Sequence, residues 1–250
     1  MIKTRPSSIS FLNLQVKIAK SEVHFFDNDT NYLKGLDWYR DQMPAAKHGE
    51  IAVEKSPSYF VTDSVPERVL AMDPNILLLL VLRDPVVRLI SDYTQILHNH
   101  LEKGLDFKPF EELVLNRNGS VNTRYDAVGK SVYVHYVKRW LAVFPQSQLH
   151  LVNGDKLIHK PWHELKKVEK FLGLPSEISE DYFYYNVTKG FHCVKRGKGG
   201  NRANRCLAKS KGRAHPKIDR KVISKLRRFY APHNYEFYNV VGQDFGWPEE

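Results

Sequence analysis

The chain has 250 residues, 42% of them apolar, which is enough to bury one substantial core and predicts a single globular domain. Its formal charge is +10 and it holds 2 cysteines, with no Cys-x-x-Cys pair, so neither a zinc-ribbon set nor a disulfide-dense scaffold is available. No apolar run reaches the length of a membrane span, and the N-terminal residues, basic at Lys3 and Arg5 but polar over 7–13, make no signal-peptide core.

In chain order, residues 50–54 read as a short strand delivering Lys55 to its end, where Pro57 forces a turn. Residues 65–71 read as a short helix with Pro66 in its first turn. The run 76–82, preceded by Asp73-Pro74, is the strongest strand, and its continuous apolar character suits a buried parallel sheet. A helix is expected over 87–98, a second short one over 107–115, and a long one over 122–144, where Tyr125, Val128, Val132, Tyr136, Trp140 and Val143 recur at helical spacing before Pro145. A third strand over 148–152 turns at Asn153-Gly154, and an amphipathic helix over 162–172 is closed by Gly173. Residues 191–207 suggest a disulfide-tied loop or hairpin. A basic helix over 219–230 and a last short helix over 235–241 complete the chain. Strands alternating with helices imply an α/β fold with a parallel sheet.

Three groups of residues suggest chemistry. Arg83 ends the strongest strand, and Ser91 follows eight residues later in the helix that Pro85 can open. Carboxyl ends of parallel strands bind ligands in open α/β sheets, and a guanidinium with a hydroxyl suits a phosphate monoester. The plain alternative is an Arg at a loop and a Ser on a helix surface. In Glu22-Val23-His24-Phe25-Phe26-Asp27, an extended backbone would put Glu22, His24 and Phe26 on one face. A carboxylate beside an imidazole is a workable general base, although a surface Glu–His pair is the commoner origin of such a sequence. Finally, residues 189–228 hold 15 Lys and Arg against one acidic residue, Asp219. That segment is +14, which leaves the rest of the chain at about −4 and suggests a surface that meets a polyanion. A sulfated glycan fits better than a nucleic acid, because no helix-turn-helix, zinc or RNA-recognition pattern is present. A solvated basic face is the alternative.

Cys193 and Cys206 flank a Gly-rich turn, and a bond between them would be worth roughly 3 kcal/mol in the chain-entropy view. With the sequons at Asn28, Asn118 and Asn186, they predict an oxidising, lumenal compartment and a glycoprotein.

The segment from Arg83-Asp84-Pro85 to Ser91-Asp92-Tyr93 resembles the 3′-phosphate motif of sulfotransferases. Ser21 to Asp27, Val53 to Phe60 and Ser210 to Pro216 are similar to one branch of that family, the heparan sulfate glucosamine 3-O-sulfotransferases. The resemblance implies a P-loop-NTPase-like α/β fold with a central parallel sheet flanked by helices. Residues 16–250 would form one sulfotransferase domain, behind an atypical segment 1–15. It implies sulfuryl transfer from 3′-phosphoadenosine 5′-phosphosulfate (PAPS) to the 3-hydroxyl of glucosamine in heparan sulfate, without a metal and without nucleic acid. Glu22 would be the base and His24 would tune it. Lys55 would neutralise sulfuryl oxygens or a substrate sulfate. Arg83 and Ser91 would hold the 3′-phosphate, and Lys211, Gly212 and Arg213 would close over the nucleotide. Asp27 and Gln95 would serve the glycan side. His192 stands where the family usually has Tyr. The family also implies the Golgi lumen and an N-terminal membrane anchor, and no anchor is visible here.

One departure stands out. The family opens with a strand and a Lys- and Gly-containing loop that binds the 5′-phosphosulfate. This sequence has no glycine before Gly35 and no Gly-x-x-x-x-Gly-Lys-Ser/Thr elsewhere. The expectation is a family member whose first strand and phosphate loop are missing, with poor transfer and a marginal fold unless residues 9–14 substitute for the strand. The competing readings are a non-catalytic heparan sulfate-binding member and a nucleotide kinase-like enzyme, against which the missing Walker loop argues.

Overall fold

The computed structural model describes residues 15–195, 206 and 214–250. The chain separates into two compact units. One contains the described residues up to Leu82 together with those from Leu141 to 195 and Cys206. The other contains residues 83–140 and those from 214 onward.

The first unit is built on short parallel pairs. Strand β1 (Val16–Ile18) leads through helices α1 (Asp29–Tyr32) and α2 (Gly35–Gln42) to β2 (Ile51–Val53). The two strands pair in parallel, with Val16 opposite Ile51 and Ile18 opposite Val53. A 3₁₀ turn (Pro57–Phe60) and helix α3 (Val65–Met72) follow, and then β3 (Leu78–Leu82). β3 pairs in parallel with β4 (Leu149–Asn153), Leu80 opposite Leu151. Asn153 does not merely turn the chain. Its side chain accepts from the Asp155 and Lys156 amides and so caps helix α8 (Gly154–His159). Helix α9 (Pro161–Phe171) buries Trp162 and Leu165 against Ile178 and Phe183. The antiparallel hairpin of β5 (Phe183–Asn186) and β6 (Phe191–Val194) completes this unit. Cys193 in β6 is bonded to Cys206, as their spacing predicts.

The second unit contains helix α4 (Pro85–Leu101), α5 (Phe110–Val114), α6 (Asp126–Gly129), α7 (Tyr133–Val143, whose last three residues fall in the first unit) and α10 (Arg220–Val241). Its core includes Leu89, Val128, Val134, Val137, Leu226, Tyr230 and Phe237, all nearly inaccessible.

Three expectations need correction. The helix predicted over 122–144 is broken between Gly129 and Tyr133, where Ser131 and Val132 donate to carbonyls three residues back. The buried Ser131 hydroxyl accepts from Arg88 Nε at 2.7 Å, and this long-range demand overrides the helical periodicity. The two helices predicted over 219–230 and 235–241 are one, running through Pro232. Proline removes one backbone bond, but Leu226 and Tyr230 before it and Asn234, Phe237 and Val241 after it keep one buried face. Residues 22–27 are not extended, because His24 has φ +51°. Gly173, at φ +66°, does close α9 as read.

Candidate active site

The chain at residues 22–27 leaves β1 and folds back over the end of β2. Phe25 and Phe26 bury their rings among Tyr39, Tyr59, Tyr32 and Trp38, with centroids 4.7–6.1 Å apart. Two consecutive buried rings cannot come from an extended strand with one solvated face. The left-handed turn at His24 makes them possible, at a cost on the order of 1–3 kcal/mol for a non-glycine.

That turn brings the predicted polar groups together. Lys55 Nζ, at the end of β2, donates to Glu22 Oε1. The other carboxylate oxygen of Glu22 lies 3.5 Å from His24 Nε2. His24 Nδ1 meets Asp27 Oδ2 at 2.8 Å, so the imidazole stands between two carboxylates. The Glu22 side chain is 30% exposed and that of Asp27 only 6%. Glu22 can therefore meet an incoming hydroxyl, while Asp27 is positioned to hold the ring. Glu22, His24, Asp27 and Lys55 thus form one cluster, whereas an extended 22–27 would set Asp27 on the face opposite Glu22 and His24.

Beneath them lies a second layer that the sequence reading does not single out. The His24 amide donates to Ser56 Oγ at 2.9 Å, and Ser56 donates to Glu54 Oε2 at 3.1 Å. The Phe25 amide donates to the Tyr59 hydroxyl at 3.0 Å. The His24 carbonyl accepts from Asn31 Nδ2 at 3.1 Å, and that of Phe26 from Arg68 at 2.9 Å. Burial pushes the Glu54 carboxyl up from the ordinary carboxylate range, and the neighbouring Asp27 adds to this, while hydrogen bonds from Tyr59 and Ser56 oppose it. Burial and the Glu54 charge push the Tyr59 phenol up in turn. The available signal is adjacency: Glu54, Ser56 and Tyr59 flank Lys55 within the segment Val53 to Phe60.

In the second unit, Arg83 precedes α4 and Ser91 lies in its second turn, half-buried. Asp84 caps the helix by accepting from the Val86 and Val87 amides at 2.7 and 3.3 Å. Tyr133 donates its hydroxyl to the Arg83 carbonyl at 3.0 Å. Arg88 is buried, bonded to Ser131 and the Ala127 carbonyl, with Asp92 at 3.8 Å, so its role is structural. Burial first, and Arg83 second, lower the pKa of the His215 imidazole. Gln95 sits on α4 and donates to Asn99 at 2.7 Å. Lys211, Gly212 and Arg213, and residues 9–14, lie outside the described residues. His192 is in β6, edge-on to Trp162 at 5.2 Å. Of the sequons, Asn28 and Asn118 are exposed, whereas Asn186 directs its amide nitrogen at Cys206 Sγ. Among the described residues no helix is long and apolar enough to cross a membrane.

Comparison with known proteins gives the class: residues 8–238 match the sulfotransferase domain family. The fold agrees with it, since a sulfotransferase from Alicyclobacillus acidocaldarius superposes with a TM-score of 0.64, covering 94% of this chain and 89% of that one at 17% identity. More narrowly, the chain is 46% identical over 243 residues to heparan sulfate glucosamine 3-O-sulfotransferase 5 of Mus musculus, covering 96% of this chain and 69% of the relative. It is 47% identical over 234 residues to the 3B1 enzyme of Homo sapiens, covering 93% and 58% respectively. The chain belongs to the heparan sulfate glucosamine 3-O-sulfotransferase family.

Proposed function

We propose that the chain transfers the sulfuryl group of PAPS to the 3-hydroxyl of a glucosamine in heparan sulfate, with Glu22 as general base. The observation that carries this reading is the Glu22 carboxylate, partly open to solvent and held between Lys55 and His24. Glu22 takes the proton of the 3-hydroxyl, the oxygen forms its bond to sulfur, and the sulfur–oxygen bond to adenosine 3′,5′-bisphosphate breaks. The Lys55 ammonium stands where negative charge develops on the sulfuryl oxygens, and charge met by fixed cations calls for no metal. Arg83 and Ser91 hold the 3′-phosphate, Lys211 to Arg213 cover the nucleotide, and Gln95 with Asp27 serves the glycan. The Cys193–Cys206 disulfide and the exposed sequons at Asn28 and Asn118 support a Golgi lumenal location. The test is transfer of radiolabelled sulfate from PAPS to N-sulfated heparan sulfate, followed by analysis of the labelled position. Label on glucosamine O-3 is expected. Label confined to another position would overturn the reading.

A further inference from the structure

His24 is the one non-glycine at positive φ among the described residues, and it sits in the cluster that touches the base. A backbone conformation of this kind persists only where surrounding contacts over-determine it. Those contacts come from the motif after β2, 32 to 34 residues along the chain.

The Ser56 hydroxyl is fully buried and has two jobs. It accepts from the His24 amide and donates to Glu54 Oε2. The Tyr59 hydroxyl accepts the next amide, that of Phe25, and stands 3.4 Å from that of Phe26. Glu54 Oε1 is buried without a hydrogen-bond partner among the described residues. A buried carboxylate is a costly way to fill space, and apolar residues would fill it better. What Glu54 supplies is an acceptor for the hydroxyls of both Ser56 and Tyr59, so that their lone pairs face the His24 and Phe25 amides.

We propose that Glu54, Ser56 and Tyr59 are positioning residues that clamp the backbone of residues 24–25 in the left-handed turn and thereby set the His24 imidazole between Glu22 and Asp27. They do not touch the reacting atoms and act through His24. The inference rests on the reading of Glu22 as base. Without the clamp the turn relaxes toward extended backbone, the ring leaves Glu22, and the base loses the group that orients it. Substrate sites elsewhere in the chain are untouched.

The test measures kcat, KM for both substrates and thermal midpoint for Ser56→Ala, Glu54→Ala, Glu54→Gln, His24→Ala and the Ser56→Ala/His24→Ala double variant. Misplacement of catalytic geometry by about 1 Å costs about 10²-fold. Ser56→Ala and Glu54→Ala are expected to lose about that much in kcat with KM for PAPS and glycan unchanged. Glu54→Gln, which keeps an acceptor for the Ser56 hydroxyl, is expected to restore most of it. Ser56→Ala should add nothing in the His24→Ala background. Full multiplicativity of the two losses, or a kcat for Ser56→Ala equal to wild type, would overturn the clamp. So would a loss in Ser56→Ala that tracks a lowered thermal midpoint and is recovered in full at a lower assay temperature. Glu22→Gln is the control that separates the two readings. If it retains wild-type turnover, the base assignment fails. If it is inactive while Ser56→Ala is normal, the base assignment stands and the clamp fails.

Discussion

At the residue scale, the site shows how one carboxylate can be kept available and another kept out of the chemistry. Glu22 and Glu54 are both near His24. Glu22 is partly solvated and paired with Lys55, whereas Glu54 is shielded, and burial pushes its carboxyl up. A general base must be within reach of the hydroxyl it deprotonates, and of the two Glu22 is the one open to an incoming hydroxyl. The ammonium of Lys55 has two partners in prospect, the base in the resting site and the sulfuryl oxygens during transfer. Lys55→Met should therefore lower kcat by about 10²- to 10³-fold, comparable to deleting an oxyanion donor, while leaving heparin affinity near that of the parent. Steady-state kinetics paired with heparin-column elution would check this. A kcat within a factor of about two of wild type would show that Lys55 only decorates the strand end.

At the scale of elements, the turn into α4 carries the nucleotide side of the proposal. Asp84 is buried, accepts two orphan amides of that helix, and precedes Pro85, whose fixed φ suits the first turn. Asp84→Ala should cost about 1 kcal/mol of stability, the usual worth of such a cap, and should weaken binding of adenosine 3′,5′-bisphosphate because Arg83 is the next residue. Chemical denaturation and titration calorimetry would read the two effects separately. The same region shows what a sequence reveals and what it hides. The strand ending at Leu82 and the helix behind Pro85 were legible, because an unbroken apolar run and a proline are local signals, and Glu22, His24, Asp27 and Lys55 stand out singly through motif resemblance, not as a group. The break at Ser131 was not, since it answers to the buried Arg88 side chain more than 40 residues away. Nor was the His24 turn, whose donors and acceptors come from Ser56 and Tyr59. Pro232 misled in the opposite direction, because its local penalty is outweighed by a face of Leu226, Tyr230, Phe237 and Val241 that no short window shows. The β5 strand was missed even though Tyr182 to Tyr185 carries the aromatic character that favours strands.

At the scale of the whole molecule, half-buried imidazoles link stability to pH. His150, on β4, stacks on Phe171 with ring centroids 5.1 Å apart, and its Nε2 is buried without a hydrogen-bond partner among the described residues. Burial lowers its pKa from the ordinary 6.5, and Glu164 opposes this. His233, on α10, is lowered by burial and then by His135. A group whose folded pKa is depressed contributes stability that is fully present above its unfolded value and is lost as pH falls through the folded one. The thermal midpoint should therefore decline as pH falls below about 6.5, and His150→Leu should flatten part of that slope. A midpoint that rises between pH 6.5 and 5.5 in the wild-type protein would contradict it. The charge distribution belongs to this scale too: residues 189–228 carry +14, and the rest of the chain, at about −4, brings the net charge to +10.

The most direct measurement of the central claim compares Glu22→Gln with wild type in a single-turnover assay of radiolabelled sulfate transfer from PAPS to heparan sulfate. Both proteins are first matched for heparin affinity and thermal midpoint. The substitution keeps the side chain's shape and its contact with Lys55 Nζ but removes the basic carboxylate. Transfer by Glu22→Gln at least 10²-fold slower than wild type, with label in the wild-type product on glucosamine O-3, is the predicted result. Equal rates in the two matched proteins would show that the proton leaves the acceptor by another route and that Glu22 is not the base.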